Sequence, residues 1–331
     1  MLPESDLKDL PHPSKVYHPV SSSVILIILL ICGLAPVLIP LEIAKWYIAA
    51  AQNSFRKGDL DRSDSLLDSA KSISTTASEL ADYYLLRVKL LAKRGHPDES
   101  LRFLDSLASE GKASAAKEVG VRMSDEFFVE RDFKRSLDAL KLAMKLDKTP
   151  SVTHLNMIAY LRALNNVDLV EALKAIDAAL ALVPNEPSLL DTKAWVLFQS
   201  GRSKEALPLM EKSLTMTSEL HQGRGEFIGK DPVELEKLTA SLEDEATPEL
   251  KEILNQVATA KNEYELRLQS VRKEFGDTQF RRWLSTQPLH QVAVMRFHYA
   301  RILEALGEFE KSDLQWGWLN YYGLTDEELL Y

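Results

Sequence analysis

The stretch from Gly223 to Asp231, GRGEFIGKD, is where the residue types of this chain come nearest to a phosphate-binding loop. Such a loop needs a fixed glycine spacing, then a Lys that reaches the phosphates and a Ser or Thr that holds Mg²⁺. Here the glycine spacing differs, and Asp231 stands where the Ser or Thr is required. We therefore do not expect this stretch to bind a nucleotide.

Histidine and cysteine are too scattered to predict a metal centre. The single cysteine, Cys32, lies in an apolar segment, so a disulfide framework and a Cys/His zinc site are excluded. His290 and His298 could share one face of a helix, but metal sites need a third ligand. Surface or packing roles are expected for these histidines, and no metal or cofactor is predicted.

Ser-x-x-Lys occurs at Ser54, Ser109 and Ser270, a pattern that a serine- and lysine-rich chain produces by chance. In β-lactamases and penicillin-binding proteins it acts only with companion motifs, which this chain lacks. No nucleophile and base can be paired, so the sequence predicts a protein that is not an enzyme. An enzyme accessory with a site in residues 218–289 is kept as a minor alternative.

Charge is concentrated in one region of the chain. The 331 residues carry a net charge of −9, and residues 219–265 contribute 12 acidic against 5 basic side chains. No basic block is present, which argues against a nucleic-acid partner. The acidic stretch is interpreted as a solvated helix surface.

Val24–Leu41 is a run of 18 residues without a charged side chain. As a helix it would be about 27 Å long, close to the thickness of the hydrocarbon core of a bilayer. Trp46 and Tyr47 follow, where interfacial aromatic residues are common. We predict a single transmembrane helix over residues 21–43 that places the chain in a lipid bilayer.

A cleaved signal peptide and a buried core helix are the two other interpretations of this run. A cleaved signal peptide needs a basic leader, but the preceding residues include Glu4, Asp6 and Asp9. A buried core helix is disfavoured by a charge-free run of this length. Residues 1–20, rich in proline, are expected to be a disordered tail. Flanking Lys and Arg do not decide the orientation, but a short tail before one anchor favours the body on the extracytoplasmic side.

A second pattern recurs along most of the chain. Glycine or a substitute is followed by a small residue five positions on, and then by apolar or small residues four and seven positions further. The small residue falls at Ser63, Ser100, Ser136, Ala172, Ala206 and Ser312. The first four steps are 37, 36, 36 and 34 residues, which predicts repeated helix pairs: the glycine opens the turn and the small residue lets the two helices approach.

The period and the motif residues resemble the tetratricopeptide repeat family. The resemblance covers about 44–217 and 290–322 and is strongest over 153–216, where Ala194, Gly201 and Ala206 fill the expected positions. It implies an all-α, TPR-like α-solenoid of antiparallel helix pairs, here preceded by the transmembrane helix. Tyr160 at a small position and Arg131 at the glycine position depart from the family pattern.

The resulting domain organisation has five parts. After the tail 1–20 and the transmembrane helix 21–43 come about five TPR-like repeats in 44–217. A divergent acidic helical segment follows in 218–289, as two helix pairs or as an inserted helical hairpin. A C-terminal TPR-like repeat and cap occupy 290–331.

The resemblance also implies where a protein partner binds, because members of the family often hold partners on the concave face formed by the first helices of successive pairs. The basic residues with which some members clamp a carboxylate are missing at the matching positions. Arg122, Asp191, Trp195 and Gln199 remain as candidate contacts, although Trp195 could equally pack inside the solenoid.

The sequence therefore predicts a membrane-anchored scaffold that binds a protein or peptide in its groove, with no small-molecule substrate. The main alternative is a structural or assembly subunit of a cell-envelope complex, which a large exposed apolar patch would favour.

Overall fold

The computed structural model describes the backbone of residues 22–73, 80–223, 266–267, 269–274, 276–278 and 280–324. Side chains are described from residue 39 onward within these ranges, except for 221–223. In this part of the chain the regular structure is helical throughout. The helices are α1 (Ser22–Arg56), α2 (Leu60–Ile73), α3 (Ala81–Lys93), α4 (Pro97–Ser109), α5 (Ala113–Val129), α6 (Phe133–Lys145), α7 (Val152–Leu164), α8 (Leu169–Leu182), α9 (Pro187–Gln199), α10 (Ser203–Gly223), α11 (Pro288–Leu306) and α12 (Phe309–Tyr321).

The chain divides into two compact units, Met1–Tyr83 and Tyr84–Tyr331. In the first unit, α1 packs against α2 across the turn at Gly58. Ala44, Ile48 and Ala51 lie on the buried side of α1, at the i, i+4, i+7 spacing of one helix face. The backbone of α1 is a single helix that continues from the apolar run into this first pair.

The structure describes the backbone of the predicted transmembrane helix, residues 21–43, from residue 22 onward and its side chains from residue 39 onward. Most of Val24–Leu41 falls in residues 22–38, whose side chains lie outside the described residues, as does the predicted tail 1–20. In the part of the chain whose side chains are described, no helix is long and apolar enough to cross a membrane.

In the second unit, consecutive helices form antiparallel pairs because turns of only a few residues join them. α5 packs on α6, α7 on α8, α9 on α10, and α11 on α12. Neighbouring pairs also touch, since α7 packs against α6 and α9, and α9 packs against α8. The first helices of successive pairs therefore lie side by side, as the repeat pattern predicts.

The last pair packs directly against α9 and α10. These helices are neighbours in space although residues 224–287 separate them in sequence. That the divergent segment 218–289 forms two helix pairs or an inserted helical hairpin stays a prediction. Residues 224–265 of that segment lie outside the described part.

The repeated small residue is buried in every pair, as the sequence predicts. The exposed fractions of Ser63, Ser100, Ser136, Ala172 and Ala206 are 0%, and that of Ser312 is 1%. Three of the serines donate their hydroxyl proton to a backbone carbonyl of the preceding helix, twelve residues earlier. The acceptors are Ala51 O for Ser63 (2.9 Å), Ser124 O for Ser136 (2.9 Å) and Ala300 O for Ser312 (3.2 Å). Serine can therefore replace alanine here without leaving a buried hydroxyl unpaired.

The turn of the third predicted repeat shows why a glycine substitute is tolerated. Arg131 adopts a left-handed backbone with φ of 65°, close to the 73° of Gly201 in the equivalent turn. A non-glycine residue in this conformation is strained by about 1–2 kcal/mol. The shape of the turn is thus retained at Arg131 without the glycine.

We expect Ser136→Leu to destabilise the chain far more than Ser136→Ala. The alanine variant loses two buried hydrogen bonds, one from the Ser136 hydroxyl to Ser124 O and one between the Ser124 and Ser136 hydroxyls, at about 1 kcal/mol each. Leucine loses the same bonds and must also fit where α5 and α6 are in direct contact, at a further ~1–3 kcal/mol. Chemical unfolding followed by circular dichroism measures both. Equal stability of the two variants would show that close helix approach does not depend on this position.

Candidate functional site

Two of the four predicted contact residues lie in the core of the second unit. Trp195, on α9, is 3% exposed, and its ring stacks on Phe198 at 4.9 Å and on His298 at 4.1 Å between centroids. Asp191, one turn earlier, is 7% exposed. The helical spacing of four residues places both side chains against α11. The structure thus shows Trp195 packed inside the helix stack, which the sequence had left open.

The other two predicted residues are placed elsewhere on the first helices. Arg122, on α5, pairs with Glu118 of the same helix at 3.4 Å, and Gln199 is half-buried as the last residue of α9. The structure therefore joins Asp191 and Trp195 through His298 but does not show all four residues as one cluster. A partner contact by any of the four stays a prediction.

A buried polar network links three first helices. His298 Nδ1 lies 2.8 Å from Asp191 Oδ1, and His298 Nε2 lies 3.5 Å from the Tyr160 hydroxyl. We assign the proton to Nδ1, because a neutral ring then donates to the carboxylate and accepts from the tyrosine. Tyr160 comes from α7, Asp191 from α9 and His298 from α11, so the network holds three pairs together.

A carboxylate, an imidazole and a hydroxyl in this order resemble a nucleophile relay. The surroundings do not favour that chemistry. Burial, and to a lesser extent the charge of Asp191, raises the pKa of the Tyr160 hydroxyl well above its usual value. The tyrosine therefore stays protonated, and Trp195 covers the imidazole ring. The network is better suited to fixing the helices than to attacking a substrate.

A cavity of about 460 Å³ lies beside this network. Its walls come from α5, α7, α9, α11 and the turn at residues 285–287. The lining residues are Phe128, Asn156, Met157, Tyr160, Ser188, Asp191, Thr192, Ser285, Thr286, Gln287, Pro288, His290, Gln291, Val294 and Met295. A volume of this size is typical of ligand pockets.

One polar atom in the cavity wall has no protein partner. The side-chain oxygen of Asn156 is buried and accepts no hydrogen bond within the described part of the chain. An unpaired buried acceptor costs about 1–3 kcal/mol. The cavity therefore holds an acceptor that a bound donor would satisfy.

The segment before α11 closes one side of the cavity, and sequence analysis did not single it out. Phe280 and Leu284 are 3% and 0% exposed, and they belong to the same core cluster as Tyr160 and Trp195. Arg281 Nε donates to Val129 O at 2.8 Å, which fixes the segment to the end of α5. The i, i+4 spacing of Phe280 and Leu284 is the signal in the sequence that could have indicated a buried helix face. Both residues lie in the segment 218–289, which the sequence predicts as divergent and acidic.

An ion-pair cluster reinforces this attachment. Glu126 of α5 accepts from Arg282 at 2.9 Å and from Lys89 of α3 at 2.6 Å. All three side chains are partly exposed, so each pair contributes less than about 1 kcal/mol. The cluster fixes the register of the segment on α5 rather than supplying much stability.

A metal site would need several His, Cys, Asp or Glu side chains close together. Within the described residues, no group of three or more His, Cys, Asp or Glu side chains is arranged to hold a metal ion. His290 and His298, which the sequence placed on one helix face, are both buried on α11.

Comparison with known proteins gives only distant structural neighbours. No family model matches the chain, and no curated protein matches it. Among solved structures, one described as a functional characterization of pilF from Pseudomonas aeruginosa aligns at 16% identity, covering 65% of this chain and 98% of that chain, with a TM-score of 0.35. The TPR domain of P58(IPK) aligns at 12% identity, covering 86% of this chain and 95% of that chain, with a TM-score of 0.24.

The packing within the chain defines its architecture. In its described part the chain is an all-α protein built of antiparallel helix pairs. The first helices of the later pairs enclose a cavity above a buried Asp–His–Tyr network.

We expect Asp191→Ala to lower the free energy of unfolding by about 2–4 kcal/mol, because it leaves the buried N–H of His298 without an acceptor. Asp191→Asn keeps an acceptor oxygen and should be distinctly milder. Denaturant unfolding measures both variants.

The matched control is Asp177→Ala, which removes an exposed carboxylate paired with Lys193 at 2.7 Å. Its effect should stay within ~1 kcal/mol. If Asp191→Ala is as mild as this control, the network does not hold the helices together.

Proposed function

We propose that this protein is a membrane-anchored, TPR-like scaffold that binds a protein partner and performs no catalysis. The observation that carries the proposal is the cavity on the side formed by α5, α7, α9 and α11. Helix pairs that stack in this way present successive first helices as one continuous surface. A partner segment lying on that surface would reach the cavity.

The lining of the cavity supports binding rather than chemistry. Apolar side chains such as Met157 and Val294 alternate with hydroxyl and amide groups, a mixture typical of recognition surfaces. Near the cavity, the candidate contacts Asp191 and Trp195 are held rigidly by His298, so little ordering accompanies binding. Arg122 and Gln199 extend the proposed surface along α5 and α9.

The membrane part of the proposal is supported by Val24–Leu41 and by the continuity of α1. A single helix from Ser22 to Arg56 would join the anchor to the first pair without a flexible linker. Anchoring would raise the local concentration of the bound partner at the membrane. We propose that the body lies on the extracytoplasmic side.

A structural or assembly subunit of a cell-envelope complex is the second candidate. Val170 and Leu182 of α8 are 67% and 63% exposed, and the flanking Val167 and Val183 are each 40% exposed. A contiguous apolar surface that included these residues would favour a permanent protein neighbour. A stable complex of fixed stoichiometry after mild detergent extraction would favour this candidate over a reversible scaffold.

We expect the chain to remain with membranes after alkaline carbonate extraction, and a variant lacking residues 24–41 to be released. An apolar helix of this length is held by the bilayer and not by surface charge. Immunoblotting of pellet and supernatant measures the partition. Recovery of the intact chain in the supernatant would exclude the anchor.

We expect Gln291→Trp to abolish capture of the partner from solubilised membranes. Gln291 is exposed on α11 and lines the cavity, so an indole there would block the opening without disturbing the core. The matched control is Lys204→Trp on α10, an exposed position that does not line the cavity.

Quantitative mass spectrometry of the captured proteins measures both variants against the unaltered chain. At least a tenfold loss with Gln291→Trp and unchanged capture with Lys204→Trp are expected. Identical protein sets from all three samples would show that the cavity is not the binding surface.

A further inference from the structure

We propose that the cavity receives the side chain of a Lys or Arg from the protein partner, with Asp191 and Asn156 accepting hydrogen bonds from its cationic end. This inference rests on the proposed function and specifies the chemistry of the partner at the same site. It differs from the recognition of an acidic peptide, which needs basic residues in the groove.

Two residues of the cavity lining, Asn156 and Asp191, provide hydrogen-bond acceptors. The side-chain oxygen of Asn156 is buried and lacks a donor. Asp191 lines the same cavity, and its hydrogen bond to His298 uses Oδ1, so Oδ2 can accept a second donor. Lys and Arg bring three and five N–H donors and no acceptor, which matches two acceptors in one wall.

The formal charge of the cavity lining also favours a cationic side chain. The lining contains one carboxylate, Asp191, and neither Lys nor Arg is among the lining residues. A negative charge in a partly enclosed site attracts a cation more strongly than it would in bulk water, and it repels a carboxylate.

The walls fit the remainder of such a side chain. Met157, Val294 and Met295 provide an apolar surface on which the methylene groups of Lys or Arg can pack. Methionine is flexible and adapts to chains of slightly different shape. Met295 packs against α10, where the hydroxyl oxygens of Ser213 and Thr217 lie 3.6 and 3.4 Å from its sulfur. The apolar wall and the acceptors are thus parts of one pre-formed site.

The test uses the 331-residue chain in lipid nanodiscs, labelled with ¹³C at the methionine methyl groups. Two of the seven methionines, Met157 and Met295, line the cavity and report on its occupancy. Met157→Leu and Met295→Leu variants assign their signals. The probes are n-propylguanidinium and n-butylammonium as the cationic ends, butyramide as the neutral control and butyrate as the anionic control.

We expect both cations to shift the Met157 and Met295 signals with dissociation constants at least tenfold lower than that of butyramide, and butyrate to shift neither. Asp191→Asn should remove most of the preference for the cations over butyramide. Asn156→Leu should weaken cation binding at least threefold, because one acceptor is lost while an apolar side chain of similar size fills its place. Asp177→Asn, on α8 outside the cavity, should change nothing.

The signals of the other methionines report whether each variant is folded. If Asp191→Asn changes these signals, Asn156→Leu provides the test, and if Asn156→Leu changes them, Asp191→Asn provides it. Equal binding of butyramide and the cations, stronger binding of butyrate, or no shift with any probe would overturn the inference. Such a result, together with partner capture that Gln291→Trp abolishes, would leave the proposed scaffold intact. Cation binding without any partner capture would instead contradict the scaffold and keep the site.

Discussion

The close approach of the two helices within each pair is the constraint on which the rest of the structure depends. A small residue of the second helix faces the first helix, and in three pairs its hydroxyl bonds to a carbonyl twelve residues earlier. A hydrogen bond to the backbone of the neighbouring helix fixes both the distance and the register of the pair. All six such positions are between 0% and 1% exposed, so each is buried within its own helix pair.

Departures from the small-residue pattern occur where the structure needs a longer side chain. Tyr160 occupies the first-helix position that Ala194 fills in the next pair, and its hydroxyl reaches His298 on α11. The side chains of Tyr160, Asp191 and His298 replace apolar packing by hydrogen bonds among three helices. Such a network is specific only when each member is satisfied, and the arrangement assigned here satisfies all three. A cavity lies beside the network, and its two acceptors, Asn156 and Asp191, are the basis for proposing a cationic side chain from the partner.

Prediction from the sequence succeeded where the information is local. Helix pairs, turn positions and the buried face of each second helix follow from the spacing of residues such as Ser136 and Leu140, because a helix returns to the same face every three to four residues. The predicted contact at Trp195 shows the limit. Aromatic residues anchor interfaces and cores alike, and the stacking on His298 that buries the indole involves a residue far along the chain.

The sequence by itself determined the all-helical pairs, their period and the apolar run Val24–Leu41, since each depends on residues within about one repeat of each other. The tertiary structure alone decided that α11 packs beside α9 and α10, that residues 285–287 close one side of the cavity, and that Asp191 meets His298. These contacts join residues far apart in the sequence, such as Asp191 and His298 at a separation of 107 and Thr217 and Met295 at a separation of 78. No periodicity records such a pairing, because it is fixed by which buried surfaces complement each other once the pairs have stacked.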